Sequence, residues 1–556
     1  MATGRYPADE GWVNTFAIAS GNPESILNSA GSAGSTADTP KVPETVDAGA
    51  LPEETSRVSE PRPVAVIVLA AGEGTRMKSR IPKVLHSLCG RSMLGHALAV
   101  AGELDPERLV VVAGHGRDEV AAETARQAPG ACVVVQDRLG GTGHAVRMVT
   151  EALGVMPGIV VVTYGDMPLL RARTLALLVR EHAAAGNAVT VLTARVPEPH
   201  GYGRVIRDMG GSLAEIVEDA DATPLQRAID EINSGCYAFD GALLADAVKR
   251  VAASNAQGQE YLTDVVAILR GDGYPVGAVL AADPAEIQGV NDRVQLAQVS
   301  RAYNARLLED WMRAGVTIAD PAATWIDVDV TLSPDAEILP GTHLQGRTVI
   351  GAGARIGPDC LLRDTSVGPG ATVLYAVCDS SEIGPDADVG PFARLRPGTR
   401  IESRAHIGTY VELKNSTVGE GSKVPHLTYV GDADIGVHSN IGAATVFVNY
   451  DGIAKHRSTV GDHVRIGSDT MLVAPVHVGD GAYTAAGSVI TEDIPPGALG
   501  VARSKQHNSE GWVERRRPGT PAAEAAARAR RAAESVPAGG KGPAEEQGAD
   551  EETQAT

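Results

Sequence analysis

Between about Ile338 and about Val489 aliphatic residues return every six positions. They stand at Ile338, Leu344, Ile350, Ile356 and Leu362, at Ile383, Val389, Leu395, Ile401, Ile407 and Leu413, and at Val460, Ile466, Leu472 and Val478. Gly usually follows the aliphatic, and a small or polar residue often stands two places later, as in Ile350-Gly-Ala-Gly-Ala. A helix needs apolar spacing of about 3.6 and a lone strand a spacing of 2, so six fits neither. It fits a short strand plus a tight turn, with one inward aliphatic per strand and Gly at the turn. Three hexads close a triangular coil, and stacked coils bury a continuous aliphatic column. The tract is expected to be a parallel β-helix. Its register stops between Phe447 and Val460, at Asn449-Tyr450-Asp451-Gly452, which predicts an inserted loop on a rigid coil.

Upstream the period changes. Strand-like runs (Val64–Ala70, Leu109–Ala113, Ala131–Gln136, Gly158–Thr163, Ala188–Ala194) alternate with helix-like segments such as Ser92–Glu103 and Ala172–Ala185. That alternation predicts a doubly wound, Rossmann-like α/β sheet over residues 63–293, with its chemistry at the carboxyl ends of the strands. Residues 294–314 read as one amphipathic linking helix carrying Val294, Leu296, Val299, Leu307, Leu308 and Trp311. The β-helix is expected over 315–515. Residues 1–62, without periodicity, are expected to be a disordered extension, or to follow a start codon placed too far upstream. Residues 516–556 are expected to be a disordered tail, with an Ala/Arg/Glu segment able to form a helix.

Composition narrows the function. A formal charge of −20 argues against a nucleic-acid surface, so a phosphate substrate needs local cations and backbone N–H groups. The five cysteines, Cys89, Cys132, Cys236, Cys360 and Cys378, form no CxxC, which points to a reducing cytoplasm without disulfides or a zinc site. No apolar run is long enough to span a membrane and no secretory signal is read.

Directly after the first strand comes Leu69-Ala-Ala-Gly-Glu-Gly-Thr-Arg-Met77, then Pro82-Lys83-Val84-Leu85-His86. This is neither a Walker loop nor the GxGxxG of dinucleotide folds. Gly72 and Gly74 let the backbone approach a phosphate, and Arg76 and Lys83 add positive charge. Register gives a second site. Arg396 follows Leu395 and Lys414 follows Leu413, three hexads apart, so they stack on adjacent coils about one strand spacing (~4.8 Å) apart. An anion such as phosphate would bridge them; two solvated surface cations is the alternative. His426 stands two after Val424 and Ala443 two after Ile441, which places them at one corner a coil apart once a shortened hexad is allowed for. A histidine there could take a proton from an attacking amine, with a thioester beside Ala443.

These motifs, in this order over about residues 64–515, resemble the sugar-nucleotidyltransferase superfamily, and within it the bifunctional bacterial enzymes that make UDP-N-acetylglucosamine. The resemblance implies a left-handed β-helix and two activities. The first half would be a pyrophosphorylase moving UMP from UTP to N-acetylglucosamine-1-phosphate. The second would be an N-acetyltransferase moving acetyl from acetyl-CoA to glucosamine-1-phosphate, for peptidoglycan and envelope synthesis. It assigns Leu69, Ala70, Ala71, Gly72, Arg76 and Lys83 to the nucleotide, and Gln136, Gly141 and Thr142 to the uracil. A Gln amide carries both donor and acceptor, which suits an imide edge. Tyr164-Gly165-Asp166 meets the phosphates, Asp166 and Asn291 hold Mg²⁺, and Gly203, Glu218 and Asn233 hold sugar and ribose. On the β-helix it assigns Arg396, Lys414, Tyr429, Asn440, Asn449 and Tyr450 to the amino-sugar phosphate, His426 as general base, and Ala443, Ser468, Ala486 and Arg503 to acetyl-CoA. Ala444 stands where this family usually has Gly, and Asn415 where a second Lys is common. A homotrimer with shared acetyl sites is implied.

Taken singly, Asp166 could instead cap a helix, and Glu218 or Asn233 could be ordinary loop residues. Three other functions compete. The chain could use another base and sugar, its β-helix could serve only oligomerisation, or His406, His426 and His438 could carry zinc for a hydratase.

Overall fold

The computed structural model describes residues 61–534, and the readings for residues 1–60 and 535–556 lie outside the described residues. Apolar runs without alternation form strands covered on both faces. Accordingly Ala65–Ala70 (β1) is buried at every position and lies in the interior of a nine-stranded sheet. The other strands are β2 (Arg108–Ala113), β3 (Cys132–Val135), β4 (Ile159–Tyr164), β5 (Val189–Arg195), β6 (Arg204–Arg207), β7 (Leu213–Val217), β8 (Glu231–Asp240) and β9 (Val276–Leu280). The main path is β9-β5-β8-β4-β1-β2-β3, with β6 and β7 attached beside β8. Helices α1 (Met93–Gly102), α2 (Arg117–Gln127), α3 (Thr142–Leu153) and α4 (Ala172–Ala185) are the connections. Successive residues of one strand serve opposite cores: Ile67, Val112 and Val162 pack on one face, Val66, Val111 and Val161 on the other.

The doubly wound α/β expectation therefore holds, with four strands, β6 to β9, beyond the five read from the sequence. β8 runs antiparallel to both β4 and β5, and its polar Asn-Ser-Gly stretch hid it from a hydrophobicity reading. Its register shifts between Asn233 and Tyr237, a bulge that re-aims side chains beside the carboxyl ends of the parallel strands.

From Thr317–Ile318 to Leu499–Gly500 the chain winds as short strands in three all-parallel sheets of eleven, ten and nine strands. Each strand pairs with its equivalent one coil on: Ile338 with Ile356, Leu344 with Leu362, Ile350 with Val367. The expected aliphatics form one buried column. The coil begins earlier than the six-residue count suggested, with Ile318, Ile326 and Leu332 already inward. Between Leu362 and Ile383, where the count failed, Val367, Val373 and Cys378 continue the column across shortened steps.

The linking helix spans Arg293–Arg313, capped by the Asp292 side chain, which accepts from Gln295 N at 2.8 Å. Val294, placed on its apolar face by spacing, is instead 68% exposed. The face that packs is defined by Val299, Asn304 and Leu308. Asn304 is a satisfied buried clamp: its amide donates to Thr324 O at 2.8 Å and accepts from Ile326 N at 3.0 Å, fastening the helix to the first coil. The hairpin Ser87–Leu88/Arg91–Ser92 docks on that coil as well, through Val328 N to Cys89 O at 2.9 Å and Arg91 to Asp329 at 2.6 Å. The tail expected to be disordered from 516 is helical over Pro521–Glu534, as its Ala/Arg content allows.

If the aliphatic column carries the coil, Leu395→Ala should cost about 2–5 kcal/mol in urea unfolding. The outward neighbour Arg394→Ala should cost within about 0.5 kcal/mol. Equal costs would contradict the column's role.

Candidate active sites

At the carboxyl ends of β1, β3 and β4 lies a pocket of about 340 Å³. It brings together Leu69, Ala70, Ala71, Gly72, Lys83, Gln136, Gly141, Thr142, Tyr164 and Asp166. Gly72 faces open space, with no protein atom within 4 Å of where a Cβ would sit, so its missing side chain leaves room in the pocket. Gly74 is constrained differently. Its φ is 62°, and a Cβ would lie 2.5 Å from Lys83 Cβ. Gly165 does not line the pocket; its N–H is tied to Leu69 O at 2.9 Å, tucking the β4 turn against β1. Arg76 is exposed on the turn Thr75–Met77 and outside the pocket lining, so the structure does not group it with Lys83.

Lys83 Nζ pairs with Asp166 Oδ2 and lies 3.3 Å from Asn291 Oδ1. Two chain segments far apart in sequence meet there because Val290 N donates to Asp166 O at 3.0 Å, and Asn291 N is held by Gln295 of the linking helix at 2.7 Å. Gly203, Glu218 and Asn233 also converge: a Cβ on Gly203 would lie 3.4 Å from Glu218 Oε2 and 3.5 Å from Asn233 Cβ. Burial pushes the Glu218 carboxyl above its usual range, against the Thr263 hydroxyl that donates to it at 3.2 Å. The Tyr164 ring fills the space over Gly235, and burial, with Glu218 and Asp166 nearby, raises its phenol and keeps it protonated. The Gln136 amide, expected to offer both donor and acceptor, already uses its nitrogen within the protein: it donates to Gly141 O at 3.0 Å and lies 3.0 Å from His144 Nδ1.

The β-helix carries the second cluster. Leu395 pairs with Leu413, so Arg396 and Lys414 do stack on adjacent coils. Each already has a protein carboxylate of its own: Arg396 meets Glu412 at 3.0 Å, and Lys414 meets Asp432 at 3.1 Å. Stacking alone therefore demands no external anion. Burial alone would raise the Asp432 pKa, but hydrogen bonds from Asn415, Lys414 and Asn449 outweigh it and hold the carboxyl below its usual range. Gly431 is where Tyr429 and Asn449 come together: a Cβ there would lie 2.5 Å from the Tyr429 hydroxyl and 2.6 Å from the Asn449 amide.

A functional candidate missing from the sequence reading is Lys455. The loop after Asn449 folds back so that Tyr450 bridges to Lys455. There the Lys414 ammonium, with Arg396 beyond it, pulls Lys455 below the usual lysine range. Lys455 thus joins Lys414, Arg396 and Asp432 in one charged cluster. The only sequence signal was one basic residue in a loop without register.

Thr409 pairs with His426 and Ile441 with Ile466, which stacks His426, Ala443 and Ser468 at one corner on successive coils. Asp469 N donates to Ala443 O at 2.7 Å and Gly487 N to Ser468 O at 2.9 Å, which continues the column to Ala486, beside Arg503. Ala444 has φ 61°, which explains why glycine suits that place; an L-residue there costs roughly 1–2 kcal/mol. Asn440 lies apart from the Lys414 cluster, on the first sheet above Lys423. Tyr450 is exposed, its hydroxyl bonded to Gly452 O at 2.7 Å. His406 pairs with Asp388 at 2.9 Å and His438 stacks on His463; among the described residues no cluster of three or more His, Cys, Asp or Glu side chains could hold a metal.

An α/β sheet with a glycine-turned pocket and a parallel β-helix on one chain are the architecture of a two-domain transferase, and comparison with known families agrees. The MobA-like NTP transferase domain family matches residues 66–232, and the bacterial transferase hexapeptide (six repeats) family matches residues 457–492. Bifunctional protein GlmU of Thermobifida fusca is 62% identical over 85% of this chain and 99% of its own length. The proteins of the same name from Streptomyces avermitilis and Streptomyces coelicolor are 61% and 59% identical, each over 84% of this chain and 97% of their own lengths. The chain belongs to the Bifunctional protein GlmU family. It is a UDP-N-acetylglucosamine diphosphorylase and glucosamine-1-phosphate N-acetyltransferase on one polypeptide, and its β-helix is left-handed.

Because a Cβ on Gly74 displaces Lys83, Gly74→Ala should cut uridylyl transfer at least about tenfold through strain and lost ion pairing. Acetyl transfer by the same protein should be unchanged. Full uridylyl transfer would contradict the close packing.

Proposed function

We propose that uridylyl transfer occupies the α/β pocket and acetyl transfer the β-helix corner, with sites composed as follows. Leu69, Ala70, Ala71, Gly72, Gln136, Gly141 and Thr142 bind the nucleotide, and Gly203, Glu218 and Asn233 bind sugar and ribose. Asp166 and Asn291 would hold Mg²⁺. The supporting observation is that Asp166 Oδ2 and Asn291 Oδ1 already meet at one cation, the Lys83 ammonium. Hard oxygen donors suit Mg²⁺, which takes its remaining ligands from water and substrate phosphates. When bound it supplies neutralising charge to the phosphates. Lys83 then has its own charge to give to a phosphate. A sugar-phosphate oxygen bonds to the α-phosphorus of UTP as the bond to pyrophosphate breaks. The protein's contribution is positioning and charge.

At the corner, Arg396, Lys414 and Lys455 hold the amino-sugar phosphate, with Tyr429, Asn449 and Tyr450 around it. His426 accepts the proton of the attacking amine as nitrogen bonds to the thioester carbonyl carbon and the carbon–sulfur bond breaks, releasing coenzyme A as its thiolate. Ala443, Ser468, Ala486 and Arg503 carry coenzyme A along the corner. Asn440 lies on the first sheet and Lys414 on the second, which supports sites shared between copies in a cyclic trimer. Tyr375, Phe392 and Tyr410, exposed and stacked coil upon coil at about the same corner line, support an apolar seat for a second copy. The five cysteines are all free, which supports a cytoplasmic enzyme, and its product UDP-N-acetylglucosamine would feed peptidoglycan synthesis.

Asp166→Ala should lower uridylyl transfer roughly 10²-fold or more and spare acetylation. His426→Ala should lower acetylation roughly 10²-fold or more and spare uridylyl transfer. Loss of both activities in either variant would sink the division of labour. Light scattering should return three times the chain mass; a monomer with full acetyl transfer would exclude shared sites.

A further inference from the structure

The nucleotide pocket rests on a buried histidine that the proposed mechanism does not use. His144, in the first turn of α3, is 2% exposed. Its Nδ1 lies 3.0 Å from Nε2 of Gln136, and the same amide nitrogen donates to the Gly141 carbonyl at 3.0 Å. A carbonyl can only accept, so Gly141 dictates which end of the amide is nitrogen. With one N–H on Gly141, the other faces the ring, and Nδ1 must be the acceptor. The ring is then the neutral tautomer with its proton on Nε2, on the side of Asp137 Oδ1, 3.5 Å away. Both amide N–H groups are committed to the wall, so the amide oxygen is what Gln136 has to offer to the pocket it lines.

That choice has a chemical meaning. An amide oxygen accepts from the N3–H of a uracil ring but meets a lone pair at N3 of cytosine; an amide nitrogen would prefer the opposite. We propose that His144 is a positioning residue that sets the preference for uracil over cytosine by holding the Gln136 amide with its oxygen toward the base. This rests on the reading of the pocket as the base site. Gly140 belongs to the same device, since a Cβ there would lie 2.7 Å from His144 Cγ and push the ring away.

The groups facing the ring are Asp137 and Arg138 from the loop after β3, Glu260 from the neighbouring segment, and Arg147 one turn along α3. Glu260 is itself paired with Arg147 at 2.9 Å and Arg138 at 3.3 Å. Burial then dominates and holds the imidazole below the usual histidine range, so it is neutral at pH 7. Protonation at lower pH sets N–H against N–H, the amide must turn, and affinity for uracil falls.

The test measures kcat and KM for UTP and CTP with the full chain, Mg²⁺ and N-acetylglucosamine-1-phosphate between about pH 5 and 8. In the unsubstituted protein, KM for UTP should rise on the acid side more than kcat falls. His144→Leu should lower the UTP-over-CTP ratio of kcat/KM about tenfold or more, because a buried N–H loses its acceptor. His144→Asn, whose Oδ1 can stand where Nδ1 accepts and does not titrate, should restore the ratio and lack the acid-side rise in KM. Undiminished selectivity in His144→Leu, or the same acid-side rise in His144→Asn, would overturn the proposal. If His144→Leu does not fold, judged by loss of acetyl transfer as well, the pH profile of His144→Asn decides alone. Gln136→Ala separates the two layers of inference. Retained UTP preference in that variant defeats the base-site reading itself, whereas lost preference there with none lost in His144→Leu defeats only the role of His144.

Discussion

One inward aliphatic side chain per short strand, repeated coil after coil, is the constraint on which the second half of the molecule depends. Because side chains alternate across a strand, a one-residue slip would turn the column Ile338, Leu344, Leu395, Leu413 outward and bring polar neighbours in. Register is therefore set by burial, and it sets everything on the outside as well. Residues one coil apart are forced into ladders, so His426, Ala443 and Ser468 share a corner, and Arg396 and Lys414 share a face. Such a scaffold cannot bend to meet a substrate. Adaptation is left to the corner turns and to the one inserted loop that delivers Lys455.

Both sites meet the same electrostatic problem in the same way. The chain carries a formal charge of −20 yet works on phosphates, so each site must be locally positive against a repulsive background. In each, the cation is pre-paired with a carboxylate of its own: Lys83 with Asp166, Lys414 with Asp432. In the sites as proposed, pairing positions the ammonium before substrate arrives and spares it an unpartnered state in a half-buried cleft. The carboxylates differ in what they do next. Asp432 is spent on Asn415, Lys414 and Asn449, which makes it a structural post. Asp166 shares its cation with an amide oxygen and so marks a place where charge can be exchanged.

The sequence discloses whatever follows from a period. Helix Ala172–Ala185 was legible to the residue, and the strands ahead of it to within about a residue at their ends, because short runs rich in β-branched residues and bounded by turn residues favour strand over helix. The hexads disclosed the coil and the stacking of Arg396 on Lys414. Strand β8 stayed hidden because Asn233, Ser234 and Gly235 break its apolar run, and those are the residues its bulge presents beside the pocket. Lys455 and the carboxylates Glu412 and Asp432 stayed hidden for another reason. Their partners are chosen by how a loop folds back and how corners stagger, which no spacing encodes. The contact between Gln136 and His144 lies between these cases, eight residues apart across a Gly-Gly turn whose close approach only the structure displays.

Acetyl transfer and uridylyl transfer act in order on one sugar phosphate, on a single polypeptide. The most direct measurement supplies glucosamine-1-phosphate, acetyl-CoA, UTP and Mg²⁺ to the intact chain, follows uridine products, and omits each component in turn. UDP-N-acetylglucosamine is expected only when all four are present, with no UDP-glucosamine when acetyl-CoA is left out. Uridylylation of the unacetylated sugar at the full rate would contradict it.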